Sequence, residues 1–239
     1  MITCDLNCDM GEGLDNDEAL MPFIDAANIA CGYHAGDTDT IKKTIALAQE
    51  NKVQIGAHVS YADKENFGRK EMHVSSAAVY DLVSEQLRLF SNIAKEMGQI
   101  VAHVKPHGAL YNQAAKDIKI ATTIARSVFD QLPTAVYFGL SGSVMLEAAN
   151  TIGLSTVHEV FADRAYQKDG SLCPRNIEGA VFTNEKSVAA QVSLIVQEKK
   201  IKTMEGVVID VAADTICIHA DTPNALLFAK TIYRLVKNK

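Results

Sequence analysis

The sequence predicts an α/β fold: a single-domain (β/α) barrel, incomplete, with about seven strands. Three observations lead there. Short apolar runs alternate with stretches of helical period along the chain, the pattern of mainly parallel pairing. Polar clusters follow almost every apolar run, whereas a doubly wound sheet gathers them at one crevice. No Pro-, Ser- or Gly-rich linker and no repeat divides residues 1–239, a length that suits one barrel domain.

The elements follow in order. Ile2 to Cys8 alternates apolar and polar residues, with Asp5, Asn7 and Asp9 on one face. Ala26 to Cys31 is the second strand, and Asp37 or Thr38 caps a helix running to about Asn51. Val53 to His58 is the third strand. A helix from about Ser76 to Met97 has Val79, Leu82, Val83, Phe90 and Ile93 in period and stops at Gly98. Ile100 to Val104 is the fourth strand. A helix from about Ala115 to Leu132 precedes the fifth strand, Thr134 to Gly139. Gly142 to Thr151 is helical and Ser155 to Phe161 is the sixth strand. Asp163 to Thr183 reads as irregular, with Gly170, Pro174 and Gly179 as turn signals. Glu185 to Lys199 is helical. Val207 to Val211 and Thr215 to Ala220 read as a hairpin. The last helix is expected to open with Thr222 as cap and Pro223 at its first position, and to run to Lys237.

Composition excludes several classes. A net charge of -6 and the lack of a basic stripe argue against a nucleic-acid partner. No apolar run approaches the ~20 residues of a membrane span. The opening lacks the basic and apolar regions of a secretory signal. Five scattered cysteines without metal or redox spacing fit reduced thiols and a cytoplasmic protein. There is no phosphate loop, no G-x-S-x-G elbow and no H-E-x-x-H.

The most informative segment is His103-Val-Lys105-Pro-His107. Alternation places His103, Lys105 and His107 on one side of a strand end, where barrels carry their chemistry. Pro106 disfavours a helix at Lys105, so the two histidines are not a helical metal pair. Asp5-x-Asn7-x-Asp9 followed by Gly11-Glu12-Gly13 imitates a calcium loop. It fails at Met10 and Asn16, so strand alternation explains the spacing better. His34 lies between Gly32 and Gly36 just before a helix, and His58 ends the third strand. Arg69 sits in a loop and reads most simply as a surface arginine. Glu159, Asp163 and Arg164 follow the sixth strand and read equally as a structural salt bridge. His219 and Asp221 share a face with Thr215 and Cys217.

The strings DLNCDMGEG, ANIACGYHAGD, GAHVSYAD, NFGR, HVKPHGALYN, EVFADRAYQKDGSLCPR and HAD together resemble the LamB/YcsF family from Asp5 to Asp221. Val59 stands after His58 where the family leads one to expect proline, which alters turn stiffness only. The resemblance implies a glycoside hydrolase/deacetylase-like barrel. It also implies a cytoplasmic subunit of an ATP-dependent 5-oxoprolinase, which opens the lactam of 5-oxo-L-proline to L-glutamate. ATP, with magnesium, would be used by the assembled enzyme, and two other 5-oxoprolinase subunits would complete it.

On that reading Asp5 or Asp9 is the general base, with His103 or His107 relaying protons. Lys105 binds the substrate carboxylate or an oxyanion, and Lys105→Met is expected to abolish turnover with the fold intact. Asn7, Glu12, His34, His58, Arg69, Glu159 and Arg164 are the expected substrate contacts. One alternative is a metal-dependent deacetylase or amidohydrolase using Asp9, His34, His58, His103 and His107. Another is a non-catalytic subunit that presents the substrate. Whether this chain holds a divalent metal is open at this stage.

Overall fold

The computed structural model describes residues 4–237, so Ile2 and Thr3 of the expected first strand lie outside the described residues. β1 (Asp5–Met10), β2 (Ala26–Ala30), β3 (Gln54–Val59), β4 (His103–Pro106), β5 (Val136–Leu140) and β6 (Thr156–Phe161) pair in sequence order, all parallel. β7 (Lys200–Lys202) and β8 (Val208–Asp210) form a separate antiparallel pair. β9 (Thr215–His219) then lies parallel between β6 and β1 and closes a seven-stranded barrel.

The expected hairpin between residues 207 and 220 is therefore wrong. Every residue of β9 is buried, which suits a strand covered on both faces. β8 is largely exposed and takes the short strand β7 instead. The fourth strand is also later than expected. Ile100 is 85% exposed, and pairing begins at His103, opposite Gly56. Pro106 ends the strand, where its missing N–H is tolerated.

The helices form the outer layer: α1 (Asp17–Leu20), α2 (Thr38–Asn51), α3 (Ser76–Glu96), α4 (Gly108–Ala114), α5 (Ile118–Gln131), α6 (Val144–Ile152), α7 (Glu185–Glu198) and α8 (Ala225–Lys237). Asp37 caps α2 by accepting from the Thr40 N–H at 2.8 Å, and Ser75 caps α3 from Ala78 at 3.2 Å. α3 buries Val79, Val83, Leu87 and Phe90 at three- and four-residue spacing against the barrel. Helix α4 is not among the elements expected from the sequence. It starts directly after His107 and buries Ala109, Leu110, Tyr111 and Ala114, and Asp117 then caps a new helix, α5.

The start of α8 also differs from expectation. Asn224 has φ +66°, so the chain turns before Ala225 rather than entering a helix at Pro223. Thr222 does not cap it, because its hydroxyl donates to Asp163 Oδ2 at 2.6 Å. One main apolar core fills the space between strands and helices. Among the described residues, no helix is long and apolar enough to cross a membrane.

Candidate functional site

The barrel interior is polar, and each layer rests on the one below. Asn7 Nδ2 donates to Thr215 Oγ1 at 2.8 Å, and Asn28 Nδ2 donates to Asn7 Oδ1 at 2.7 Å and Asp9 Oδ1 at 2.9 Å. His103 Nε2 donates to Asn28 Oδ1 at 2.8 Å, and its ring stacks on Phe138 at 4.3 Å. The His103 ring fits only because position 56 is glycine: a Cβ there would lie 2.2 Å from it. Burial, with Lys105 and His58 nearby, pushes the His103 pKa down to about 3. His103 is thus a neutral strut, and with Asn7 it lies outside the cavity lining.

Above this layer, at the carboxyl ends of the strands, opens a cavity of about 980 Å³. Lys105 stands at its floor. Its Nζ donates to Asp9 Oδ1 at 2.8 Å and lies 3.1 Å from Cys217 Sγ. It is also 2.8 Å from Glu159 Oε1, off the direction a hydrogen bond requires, so that contact is an ion pair only. Tyr111 donates to Glu159 Oε2 at 2.8 Å. Burial alone would discharge Lys105, but Asp9, Cys217 and Glu159 outweigh it and hold its pKa well above the ordinary lysine value. Burial likewise raises Asp9, and His58 and Lys105 outweigh that, leaving the carboxyl well below the usual range.

On one wall are Glu12, His34, His58 and His107, delivered by the ends of β1, β2, β3 and β4. Glu12 Oε1 lies 3.3 Å from His34 Nε2 and 3.4 Å from His107 Nδ1. The His34 and His107 rings stack at 4.0 Å. Residues Asn66 to Arg69 strap over them. His107 Nε2 donates to the Phe67 carbonyl at 3.0 Å, and a Cβ on Gly68 would lie 2.9 Å from His34 Cβ. Burial, followed by Asp9, raises the Glu12 carboxyl. Burial lowers both His34 and His107.

The opposite wall carries His219. Its Nδ1 donates to Asp163 Oδ1 at 2.8 Å, and Nε2 faces Asp9 Oδ2 at 4.0 Å. A carboxylate accepts only, so Asp163 fixes the proton on Nδ1 and leaves Nε2 free to take one. Nearby, Arg164 is 4% exposed, donates to the Cys173 carbonyl at 2.6 Å and leaves Nε unpartnered. Burial and the neighbouring Arg175 push its pKa down to about 10. Arg69 and Arg175 share Asp221. Three guanidinium groups against the two carboxylates of Asp163 and Asp221 leave this wall an excess of positive charge, suited to an anion.

Of the residues expected from the sequence, Asp9, His58, Arg69, Lys105, His107 and Arg164 line the cavity. Glu12, His34 and Glu159 are buried behind that lining. Asp5 does not join them: it starts β1 at the opposite end of the barrel, 67% exposed, with Lys237 Nζ at 3.6 Å. Alternation assigns Asp5 to the face of Asp9 without saying which end of the barrel it occupies. The expectation that Asp5 is a base is therefore withdrawn. Asp163, His219 and Arg175 were not among the expected contacts, although His219 shares the face of Thr215 and Cys217.

The two walls and the Lys105 floor combine what acyl transfer needs: a fixed cation, a held imidazole with a free nitrogen, and an anion-binding side. A sequence model of the LamB/YcsF family matches residues 4–239. The chain is 44% identical to the 5-oxoprolinase A-subunit of Brevibacillus brevis over 237 residues, 97% of this chain and 93% of that protein. It is 42% identical to the 5-oxoprolinase A-subunit of Geobacillus thermodenitrificans, covering 100% of this chain and 95% of that one. The crystal structure of a lactam utilization protein from Thermus thermophilus superposes with a TM-score of 0.91 at 36% identity, covering 99% and 96% of the two chains. The chain belongs to the LamB/YcsF family.

Proposed function

We propose that this chain belongs to an ATP-dependent 5-oxoprolinase and is the component in which the lactam of 5-oxo-L-proline is opened to L-glutamate. It would act in the cytoplasm with two partner subunits. The observation that carries the reading is Lys105, a buried ammonium held between Asp9 and Glu159 at the floor of the cavity. Relatives named as the 5-oxoprolinase A-subunit over nearly the whole chain support the substrate.

An unstrained amide is a poor electrophile, and phosphorylating its oxygen would create a leaving group. The sequence has no phosphate loop, so ATP chemistry is assigned to the partner subunits. In this chain the Arg164 wall would hold the substrate carboxylate. Water would add to the ring carbon bearing the phosphorylated oxygen, losing its proton to His219 Nε2, while Lys105 stabilises the negative charge on the oxygens of the tetrahedral adduct. The C–N bond would then break as that proton passes from His219 to the ring nitrogen, leaving an acyl phosphate that a second water hydrolyses to glutamate and inorganic phosphate. Asp9 keeps Lys105 charged and placed.

The test is glutamate release from 5-oxo-L-proline and ATP by this chain alone, by its two partners alone, and by all three. Glutamate from the full set only is expected. Release by the partners alone at the same rate, or by no mixture, would sink the reading. A second reading, a metal-dependent amidohydrolase or deacetylase, is favoured by one observation: the His-rich wall of Glu12, His34, His58 and His107.

A further inference from the structure

The His-rich wall contains a hydrogen-bonding conflict. His58 Nδ1 lies 2.9 Å from the Lys105 carbonyl, and His107 Nε2 lies 3.0 Å from the Phe67 carbonyl. Carbonyl oxygens only accept, so both of these nitrogens carry hydrogen. The remaining nitrogens, His58 Nε2 and His107 Nδ1, then present lone pairs to each other at 2.9 Å. Glu12 Oε1, a third acceptor, lies 3.4 Å from His107 Nδ1 and 3.3 Å from His34 Nε2. Acceptors so crowded are relieved by a positive charge among them, either a proton shared by the pair or a metal ion.

We infer that Glu12, His34, His58 and His107 form a binding site for a divalent transition ion of the zinc type. Three further facts carry this beyond a cluster of polar residues. First, ligating histidines are usually oriented by donating their other ring N–H to a carbonyl or carboxylate, and His58 and His107 both do so. Second, bonds of about 2.0–2.1 Å to a tetrahedral ion put ligand atoms about 3.3 Å apart. The three separations above, 2.9, 3.3 and 3.4 Å, sit close to that edge. Third, the competing group of Asp9, Cys217 and His219 is already occupied by a cation, since Lys105 Nζ lies 2.8 Å from Asp9 and 3.1 Å from Cys217. No ammonium or guanidinium makes such a contact with the His-rich group among the described residues. Three imidazoles and one carboxylate suit zinc over magnesium or calcium, which prefer oxygen. His58 and His107 line the cavity, so an ion there would be open to substrate or water.

This inference is independent of the lactam reading, and its test does not use glutamate. The purified chain is stripped with chelator, dialysed, and titrated with Zn²⁺, with metal per chain counted by mass spectrometry. Co²⁺ serves as an optical reporter, because four-coordinate cobalt absorbs strongly in the visible. The expected result is one ion per chain, intense cobalt bands and a higher melting temperature with metal than without. His34→Gln and His107→Gln should each weaken uptake by about 100-fold or more. The melting temperatures of the metal-free variants, compared with the metal-free parent, separate a lost ligand from a lost fold. No stoichiometric uptake by the folded parent overturns the inference; in that case the 2.9 Å pair shares a proton. Uptake at parental affinity by both folded variants overturns it too.

Discussion

β1 carries one aspartate at each end of the barrel. Asp5, at the amino end, is 67% exposed and pairs with Lys237, itself 27% exposed. Asp9, at the carboxyl end, is 3% exposed and touches Lys105, His58 and Asn28. The residue type, strand and face are the same, yet the two ends have different physics. At the amino end water screens the charges, and such pairs are worth little. At the carboxyl end the charges cannot be solvated, so each must be matched by another protein group. A site with fixed charges can be built only there, and substitutions at the two ends should therefore differ sharply in cost.

The largest effect is expected for Lys105→Met. It leaves Asp9 and Glu159 buried together without their cation. Denaturant unfolding at neutral pH should show a loss of about 3–5 kcal/mol. That replaces the expectation, drawn from sequence, that this variant keeps its fold intact. Adding Glu159→Gln should restore part of the loss. A single variant within about 1 kcal/mol of the parent would mean that the barrel mouth is wet and the contrast false.

Gly56→Ala probes the layer beneath. Its new methyl group would meet the His103 ring, and a cost of about 1–3 kcal/mol is expected from overpacking. An unchanged melting temperature would show that His103 is free to move and is not a strut.

Asp163→Asn separates orientation from packing. Burial raises the Asp163 carboxyl, but His219 and Thr222 outweigh it and hold the pKa below the ordinary value. A depressed folded pKa means that this stabilisation is present above the unfolded value of about 4 and is lost as pH falls through the folded one. The Asn variant should therefore lose stability at neutral pH and show a shallower acid limb in its stability–pH profile. Glutamate release by the assembled enzyme should fall about 100-fold, because His219 loses its fixed tautomer. An unaltered acid limb would contradict the assigned pairing.

The smallest effect belongs to Asp5→Asn. Stability should stay within about 0.5 kcal/mol, and glutamate release should match the parent. A large loss of activity would restore Asp5 as a candidate base.

Much of this arrangement was legible in the sequence because strand alternation is a strong signal. Alternation alone put Lys105 with His107, and Asn7 with Asp9. Four things were hidden. Alternation fixes a face but not an end, which misplaced Asp5. In Thr215-Ile-Cys-Ile-His219 every residue is buried, so polarity did not show that this was a closing barrel strand. Asp163 and Arg175 sit in an irregular segment, and only tertiary contact brings them to His219 and Asp221. Helix α4 was missed because Gly108 at its start reads as a turn, whereas Gly108 lets the backbone approach the Gly68 carbonyl.

On the proposed reading, the Lys105–Asp9 floor carries the lactam chemistry. Asp9→Asn tests it most directly, because the amide is isosteric and its oxygen still accepts from Lys105 and Asn28, while the negative charge that holds the Lys105 ammonium charged is removed. The measurement is glutamate release from 5-oxo-L-proline and ATP by the variant with both partner subunits, alongside its melting temperature. A folded protein whose release is reduced about 100-fold or more is the expected result. A folded Asp9→Asn chain that supports parental release would contradict the claim.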